Sequence, residues 1–306
     1  MATLGAGAVI GQDYPNKPIR VVTSAAGGGT DFVSRLIAQG LTTSLGKQVI
    51  VDNRGSMISA EIVVKAPPDG YTLLIGTDLV WIAPLMRNTS YDPIKDLSSI
   101  SLIASAPLLL VVHPSLPAKS VKELIDLAKS KPGVLNSASS TKGTPIHLAA
   151  ELFKSMAGAE IVIINYKGTA PALNALIGTE VHFMFGPAGT VIPHVKSGRL
   201  RALAVTSTQP SMLGPGLPTM AASGLSGYEV ALKYAVFAPP KTPAALISRL
   251  SREVVTLLNQ ASIKERLFSA GGVETVASSP EQLVATIRSD MAKLGKVIRD
   301  AGIRDD

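Results

Sequence analysis

Short apolar runs alternate with stretches of helical period along most of the chain. Residues 19–23, 48–52, 72–76, 108–112, 135–139, 161–165, 181–185, 201–206 and 230–237 read as strands. Most are continuous Val/Ile/Leu runs, the pattern of strands covered on both faces. Between them apolar residues recur every three or four positions. Val33, Leu36, Ile37 and Leu41 share one face over 31–44, as do Leu124, Ile125 and Ala128 over 121–130, and Ala149, Leu152, Phe153 and Met156 over 146–156. Two long helices close the chain, one on Leu246, Ile247, Leu250, Val254 and Leu257, the other on Leu283, Ile287, Met291, Leu294 and Ile298. This alternation predicts an α/β architecture with mostly parallel sheets. Ser120 with Glu123, and Ser279 with Gln282, have the spacing of capping boxes. Thr242-Pro243 reads as a cap followed by proline at the first helical position.

Two segments share a pattern. LVVHPSLPAKSVKEL at 110–124 and VFAPPKTPAALISRL at 236–250 each run from an apolar strand through prolines into a helix. They read either as ordinary strand–loop–helix connections or as two crossings between domains. In the second case domain 1 comprises 14–109 and 235–306, and domain 2, residues 110–234, is inserted into it. At 306 residues the chain has room for two domains.

Composition narrows the chemistry. With 29 Lys and Arg against 22 Asp and Glu, the net charge is +7, spread without a cationic run, and aromatics make up 4%. A nucleic-acid groove needs clustered cations and stacking rings, so nucleic acid is not expected as a partner. A modest positive field suits a small anion. The absence of Cys excludes disulfides, thiolate metal sites and Cys nucleophiles. The longest apolar stretch, 100–112, is too short to span a bilayer. Residues 1–11 read as an exposed start or as the tail of a truncated secretory signal.

Catalytic motifs are missing. There is no G-x-S-x-G elbow, no H-E-x-x-H, and no Walker A; Ser139-x-x-Lys142 lacks its companion elements. The four histidines are dispersed. His113 reads as a turn residue and His182 and His194 as structural, while His147 sits in the first turn of a helix, where it can reach a pocket. No metal and no cofactor are expected.

What recurs is a Gly/Thr junction after a strand. The five are Ser24-Ala-Ala26-Gly27-Gly28-Gly29-Thr30-Asp31, then Gly76-Thr77-Asp78, then Ser140-Thr-Lys142-Gly143-Thr144-Pro145 following Ser139, then Tyr166-Lys167-Gly168-Thr169-Ala170-Pro171, and Gly186-Pro187-Ala188-Gly189-Thr190. Each lies at the carboxyl end of a strand expected to be parallel, where open α/β sheets bind ligands. Glycine admits an anion close to the backbone, and a helix start favours it. Any one junction is explained by capping alone. Five together, without a nucleophile or metal set, point to a protein that grips carboxylates through main-chain amides.

The same residues resemble a known family. YPNKPIR (14–20), GGGTD (27–31), VDNR (51–54), PDGYTLL (68–74), YDP (91–93), HPSLP (113–117), GTP (143–145) with His147, YKG (166–168), LRALAVT (200–206) and FAP (237–239) occur in the order found in the solute-binding receptors of tripartite tricarboxylate transporters, the Bug family. The resemblance runs from about 14 to 303. It implies a two-lobed, type II periplasmic binding fold with a hinge of two crossing segments. It further implies a monomeric, non-enzymatic periplasmic receptor that closes on a small carboxylate and delivers it to membrane permease subunits. The ligand loops carried over from the family are 27–31, 139–144 and 166–170; the junctions themselves add Ala26, 76–78, His147 and 186–188, and Lys233 and Tyr234 on the last strand complete the expected ligand-binding set.

The chain departs from the family at several positions. Ala25-Ala26 replaces a Pro pair, Gly186 stands where an Asp is common, and Lys233 replaces an aromatic. Lys142 and Lys233 add positive charge if they face the cleft, and otherwise are solvated lysines. Trp81 reads as a cleft wall or as core. A carboxylate-sensing role and a soluble α/β enzyme using Ser139/Lys142 or His147 are the competing functions.

Overall fold

The computed structural model describes residues 14–304. The candidate signal remnant at 1–11 lies outside them. In chain order the elements are β1 (Ile19–Thr23), α1 (Gly29–Leu45), β2 (Val49–Asn53), α2 (Ser56–Val64), β3 (Thr72–Thr77), α3 (Leu79–Ile82), a 3-10 turn (Ala83–Leu85), β4 (Ser98–Val112), α4 (Val121–Ser130), β5 (Asn136–Ser139) and α5 (Pro145–Ala157). There follow β6 (Val162–Asn165), α6 (Thr169–Ile177), β7 (Phe183–Pro187), α7 (Ala188–Lys196), β8 (Arg201–Val205), β9 (Ala231–Ala238), α8 (Ala244–Leu258), α9 (Ala261–Ser269), β10 (Glu274–Thr275) and α10 (Pro280–Asp300).

The strands follow the order β2-β1-β3-β9-β4-β7-β5-β6, with β10 and β8 also paired to β4. Each half holds a parallel trio, β2-β1-β3 in one and β7-β5-β6 in the other. Every antiparallel pair involves β4 or β9, so the sheet is mixed. The five junction strands β1, β3, β5, β6 and β7 all lie in the parallel trios, so their carboxyl ends open on one edge of each half.

β4 is the backbone of both halves. Residues 98–107 pair with β9, and residues 108–112 pair with β7. The change of partner falls at Pro107, which has no N–H to give to a ladder. The strand expected over 108–112 is therefore only the last third of a 15-residue strand. The chain changes halves inside β4, upstream of the 110–124 segment, and returns at the start of β9, upstream of 236–250. Residues 110–112 of the first proline-bearing segment pair with β7, and residues 236–238 of the second pair with β3 and β4.

Alternation along the strands sorts side chains onto two faces. Ile19, Val21, Leu73, Ile75 and Val236 pack under α1, α8 and α9. Val22, Leu74, Ala235 and Phe237 face the other way, into a core shared with Leu108, Leu110, Leu124, Phe153 and α10. That second core runs through both lobes without a break. Leu109, Val111, Met184 and Val191 close the far face under α6 and α7.

The caps bear on local reading. Ser279 and Gln282 form the reciprocal box on α10. Ser120 caps Glu123, but the Glu123 carboxylate accepts from the Lys119 amide instead of the cap residue's own. At α8 the cap position is Pro243 itself, and the Thr242 hydroxyl donates back to the Pro239 carbonyl.

Candidate functional site

The lobe containing the β2-β1-β3 trio presents the loop between β1 and α1. Ala25 to Gly29 are exposed. Gly27 has φ +85°, and both Gly27 and Gly28 have open space where a Cβ would sit. The loop is held from behind. Asp31 accepts from the Gly27 amide at 3.0 Å, from Asn53 Nδ2 at 2.8 Å and from Arg35 Nε at 3.0 Å. The Gly27 bond is the largest influence holding the Asp31 carboxyl down to about 2, followed in the same direction by Arg35 and Asn53 and opposed by burial. Beneath the loop, the Thr23 hydroxyl donates to the Ile75 carbonyl, Ser34 donates to Thr30, and Ser59 donates to the Thr23 carbonyl. Ser24, Thr30, Ser59, Gly76, Thr77 and Val80 line a pocket of about 10 Å³, which is room for about one water.

Gly76 and Gly186 do a different job from the one expected. Both lie inside strands, paired with Ala235 and Leu109. A Cβ on Gly76 would meet Val80 at 2.6 Å, and one on Gly186 would meet Val191 at 2.4 Å. Each glycine lets a valine of the following helix press onto the strand. The replacement of a family Asp at 186 therefore leaves no empty acidic pocket, because Val191 fills the space.

In the opposite lobe, the loops after β5, β6 and β7 lead into α5, α6 and α7. The Gly143 amide donates to His147 Nδ1 at 3.3 Å. His147 is buried and does not reach into open space; burial, then the charge of Lys142, push its imidazole down to about 4. The Ser140 and Thr144 hydroxyls lie 2.7 Å apart, and Thr144 donates to the Thr141 carbonyl. Lys142 is exposed at the loop tip. Gly143 touches the other lobe: a Cβ there would strike Met86 Sδ at 2.6 Å. Gly168, with φ +112°, caps α6 beside open space, a conformation that favours glycine. Tyr166 is half-buried, and Lys167 and Ala170 are exposed.

Several expected amides are already bonded. Gly27 donates to Asp31, Asp78 to the Lys233 carbonyl, Gly143 to His147, Thr144 to Thr141, Tyr166 to Ser139 and Gly168 to Tyr166. The amides without an intrahelical acceptor are those of the first helical turns. They belong to Gly29, Thr30 and Asp31 of α1, Ile146 and His147 of α5, Thr169 and Ala170 of α6, and Ala188, Gly189 and Thr190 of α7. Pro187 occupies the α7 cap position and Pro145 the first position of α5, so neither contributes an N–H.

Lys233 faces the core. Its ammonium is 2.7 Å from Asp290 Oδ1 and 3.1 Å from Glu229 Oε1, and Lys293 completes the group at 3.1 Å from Glu229 Oε2. Its charge is spent in these pairs. Trp81 is fully buried, edge-on to Phe237 at 6.2 Å, and its Nε1 donates to Asp290; it is core. Tyr234 is buried with its hydroxyl against Gly29, and burial pushes that phenol up to about 12. Asp78 is buried beside Lys233 and Asp290.

The starts of α1 in one lobe and of α5, α6 and α7 in the other each follow the carboxyl end of a strand in a parallel trio. Asp78, His147 and Lys233 are buried, and Gly76 and Gly186 lie within strands. Ser59 and Asp290 have no local sequence signal for the partners they meet across the fold, which lie 36 to 209 positions away; Met86 meets Gly143 of the other lobe, and Glu229 joins Lys233 to Lys293, 64 positions on. Only Ser24 stood inside a recognisable loop. Among the described residues no cluster of three potential ligands is placed to hold a metal, and no helix is long and apolar enough to cross a membrane.

Known proteins resemble this chain over most of its length. The family model described as tripartite tricarboxylate transporter family receptor matches residues 33–303. Protein BugT of Bordetella pertussis is 35% identical over 312 aligned residues, covering 99% of this chain and 95% of its own length. Among solved structures, R. palustris Rpa4515 with adipate is 36% identical, with a TM-score of 0.73, covering 95% of this chain and 99% of that one. The periplasmic binding protein BugD is 30% identical, with a TM-score of 0.70, covering 96% and 100%.

Proposed function

We propose that this chain, which belongs to the tripartite tricarboxylate transporter receptor family, is a periplasmic solute-binding protein that captures a small organic carboxylate between its lobes and passes it to the membrane permease subunits of such a transporter. The substrate class is a di- or tricarboxylate or an aromatic acid. The observation that carries this reading is the set of unpaired first-turn amides. One group, on α1, belongs to the lobe with the β2-β1-β3 trio, and three groups, on α5, α6 and α7, belong to the other. Helix starts of this kind bind carboxylates without a side-chain cation, which fits the burial of Lys233. The adipate held by a relative 36% identical supports the ligand class.

The moving bodies in this reading are residues 14–107 with 231–304, and residues 108–230. This division follows the change of partner in β4 and the start of β9, a few residues from the boundaries expected at 109/110 and 234/235. A ligand touching both bodies favours the closed arrangement by its extra contacts.

Thermal denaturation tests the function. Protein stripped of co-purified ligand by unfolding and refolding is scanned with succinate, adipate, malate, citrate and benzoate. At least one acid raises Tm in proportion to RT ln(1 + [L]/Kd). A panel that shifts nothing removes the reading.

A further inference from the structure

Behind the lobe wall that carries Thr77 lies a group of charges, buried at Asp78, Lys233 and Asp290 and half-buried at Glu229 and Lys293, that ligand capture by itself does not require. It comprises three carboxylates, Asp78, Asp290 and Glu229, and two ammonium groups, Lys233 and Lys293. Lys233 is 2.7 Å from Asp290 and 3.1 Å from Glu229, and Lys293 is 3.1 Å from Glu229. Asp290 also accepts from Trp81 Nε1 at 3.0 Å. The charges therefore do not cancel: one carboxylate is in excess. Asp290 and Glu229 hold the lysines in direct pairs, which leaves Asp78 as the carboxyl without an ammonium at contact distance.

The backbone of Asp78 is fixed. Its amide donates to the Lys233 carbonyl, and its carbonyl accepts from Trp81 and Ile82, all at 3.0 Å. Its side chain is buried, so the carboxyl cannot swing to water. Its chain neighbours Thr77 and Leu79 both line the small pocket under the α1 loop. Ser24 and Thr30 of the α1 loop line the same pocket, so an anion on the α1 amides would add its charge across that pocket from a carboxyl that is already the odd charge of its group.

We propose that capture of a carboxylate takes up one proton on Asp78, which makes Asp78 the residue that sets how affinity depends on pH. The proposal rests on the carboxylate-receptor reading above. The ionisable groups facing Asp78 are Asp290 from α10 and Lys233 and Tyr234 from β9, with Glu229 and Lys293 behind Lys233. Tyr234 stays neutral, held up at about 12. Asp78 is the member poised near neutrality: burial, then Asp290, push it up to about 7 against the pull of Lys233. A ligand anion adds negative charge and raises it further. The sign follows. With the bound-state value above the free one, affinity is flat below the free value and falls by up to tenfold per pH unit above it, until the bound-state value is passed.

The test is calorimetric titration of adipate, malate and citrate into the stripped full chain at pH 6, 7 and 8, in phosphate and in Tris, whose ionisation heats differ. The expected result is a buffer-dependent heat corresponding to proton uptake near pH 7 to 8. Kd should be unchanged between pH 6 and the onset near 7, and several-fold weaker at pH 8. Asp78→Asn should flatten that profile; if the variant does not fold, the wild-type heats in two buffers decide. Binding with equal heats in both buffers, or a pH profile that survives Asp78→Asn, overturns the proposal and leaves the receptor reading intact. Failure of all three acids to bind overturns the receptor reading, and this proposal with it.

Discussion

Asp31 is the staple of the α1 loop, and replacing it with Asn makes the clearest test of how that loop is held. The carboxylate accepts from Gly27, Asn53 and Arg35. An amide in its place keeps one acceptor oxygen and turns a donor toward the others, so at least one of Gly27 and Asn53 loses its partner. The magnitude can be worked from the titration. Asp31 falls from 3.8 to about 2 on folding, and a shift of that size corresponds to about 2.4 kcal/mol of stabilisation at neutral pH. The outer side of the loop is open to water, where charge interactions are screened, so about 1–2 kcal/mol is expected. A depressed carboxylate contributes above its unfolded value and loses that contribution as pH falls through its folded value. The stabilisation is therefore complete above about pH 5 and roughly half gone at pH 3. Urea unfolding of wild type and Asp31→Asn, followed by Trp81 fluorescence, should show a gap of about 1–2 kcal/mol at pH 7 that halves at pH 3. A gap below about 0.5 kcal/mol, or one that does not change with pH, would refute the view that a charge-assisted network holds the loop.

Two further changes probe other supports of the site. Gly186→Ala places a Cβ 2.4 Å from Val191 and should cost about 1–3 kcal/mol by overpacking. Adding Val191→Ala makes room for it, so the double variant should be less destabilised than the sum of the singles; strictly additive denaturant midpoints would show that Val191 is not what forbids a side chain there. His147→Ala leaves the Gly143 amide without its acceptor and should weaken carboxylate binding about 5–10-fold by calorimetry, the equivalent of one hydrogen bond. His147 is held neutral, down at about 4 against 6.5 when unfolded, so its support is full above 6.5 and lost as pH falls toward 4. A Tm-versus-pH curve for the variant should be flatter than wild type across that window, and parallel curves would count against it.

The elements themselves were legible because period and capping are local. The alternation of Ile19, Val21 and Val22, the helical faces on Leu36 and Leu250, and the box at Ser279 are each written within a few positions. So were the five junctions, since Gly and Thr after an apolar run announce a turn into a helix. The family motifs added the two-lobed arrangement. What only the tertiary structure decided is how each junction is used. Gly27 and Gly168 look like Gly76 and Gly186 in the sequence, but the first pair faces open space and the second pair is pressed by valines. Lys233 looks like a free cation until Asp290, 57 positions away, is brought to 2.7 Å. His147 looks open to a pocket in the sequence, and only the fold buries it and places the Gly143 amide on its nitrogen. A strand or a cap is set by neighbours along the chain, whereas the space left for a Cβ and the partner left for a charge are set by atoms that only folding brings near.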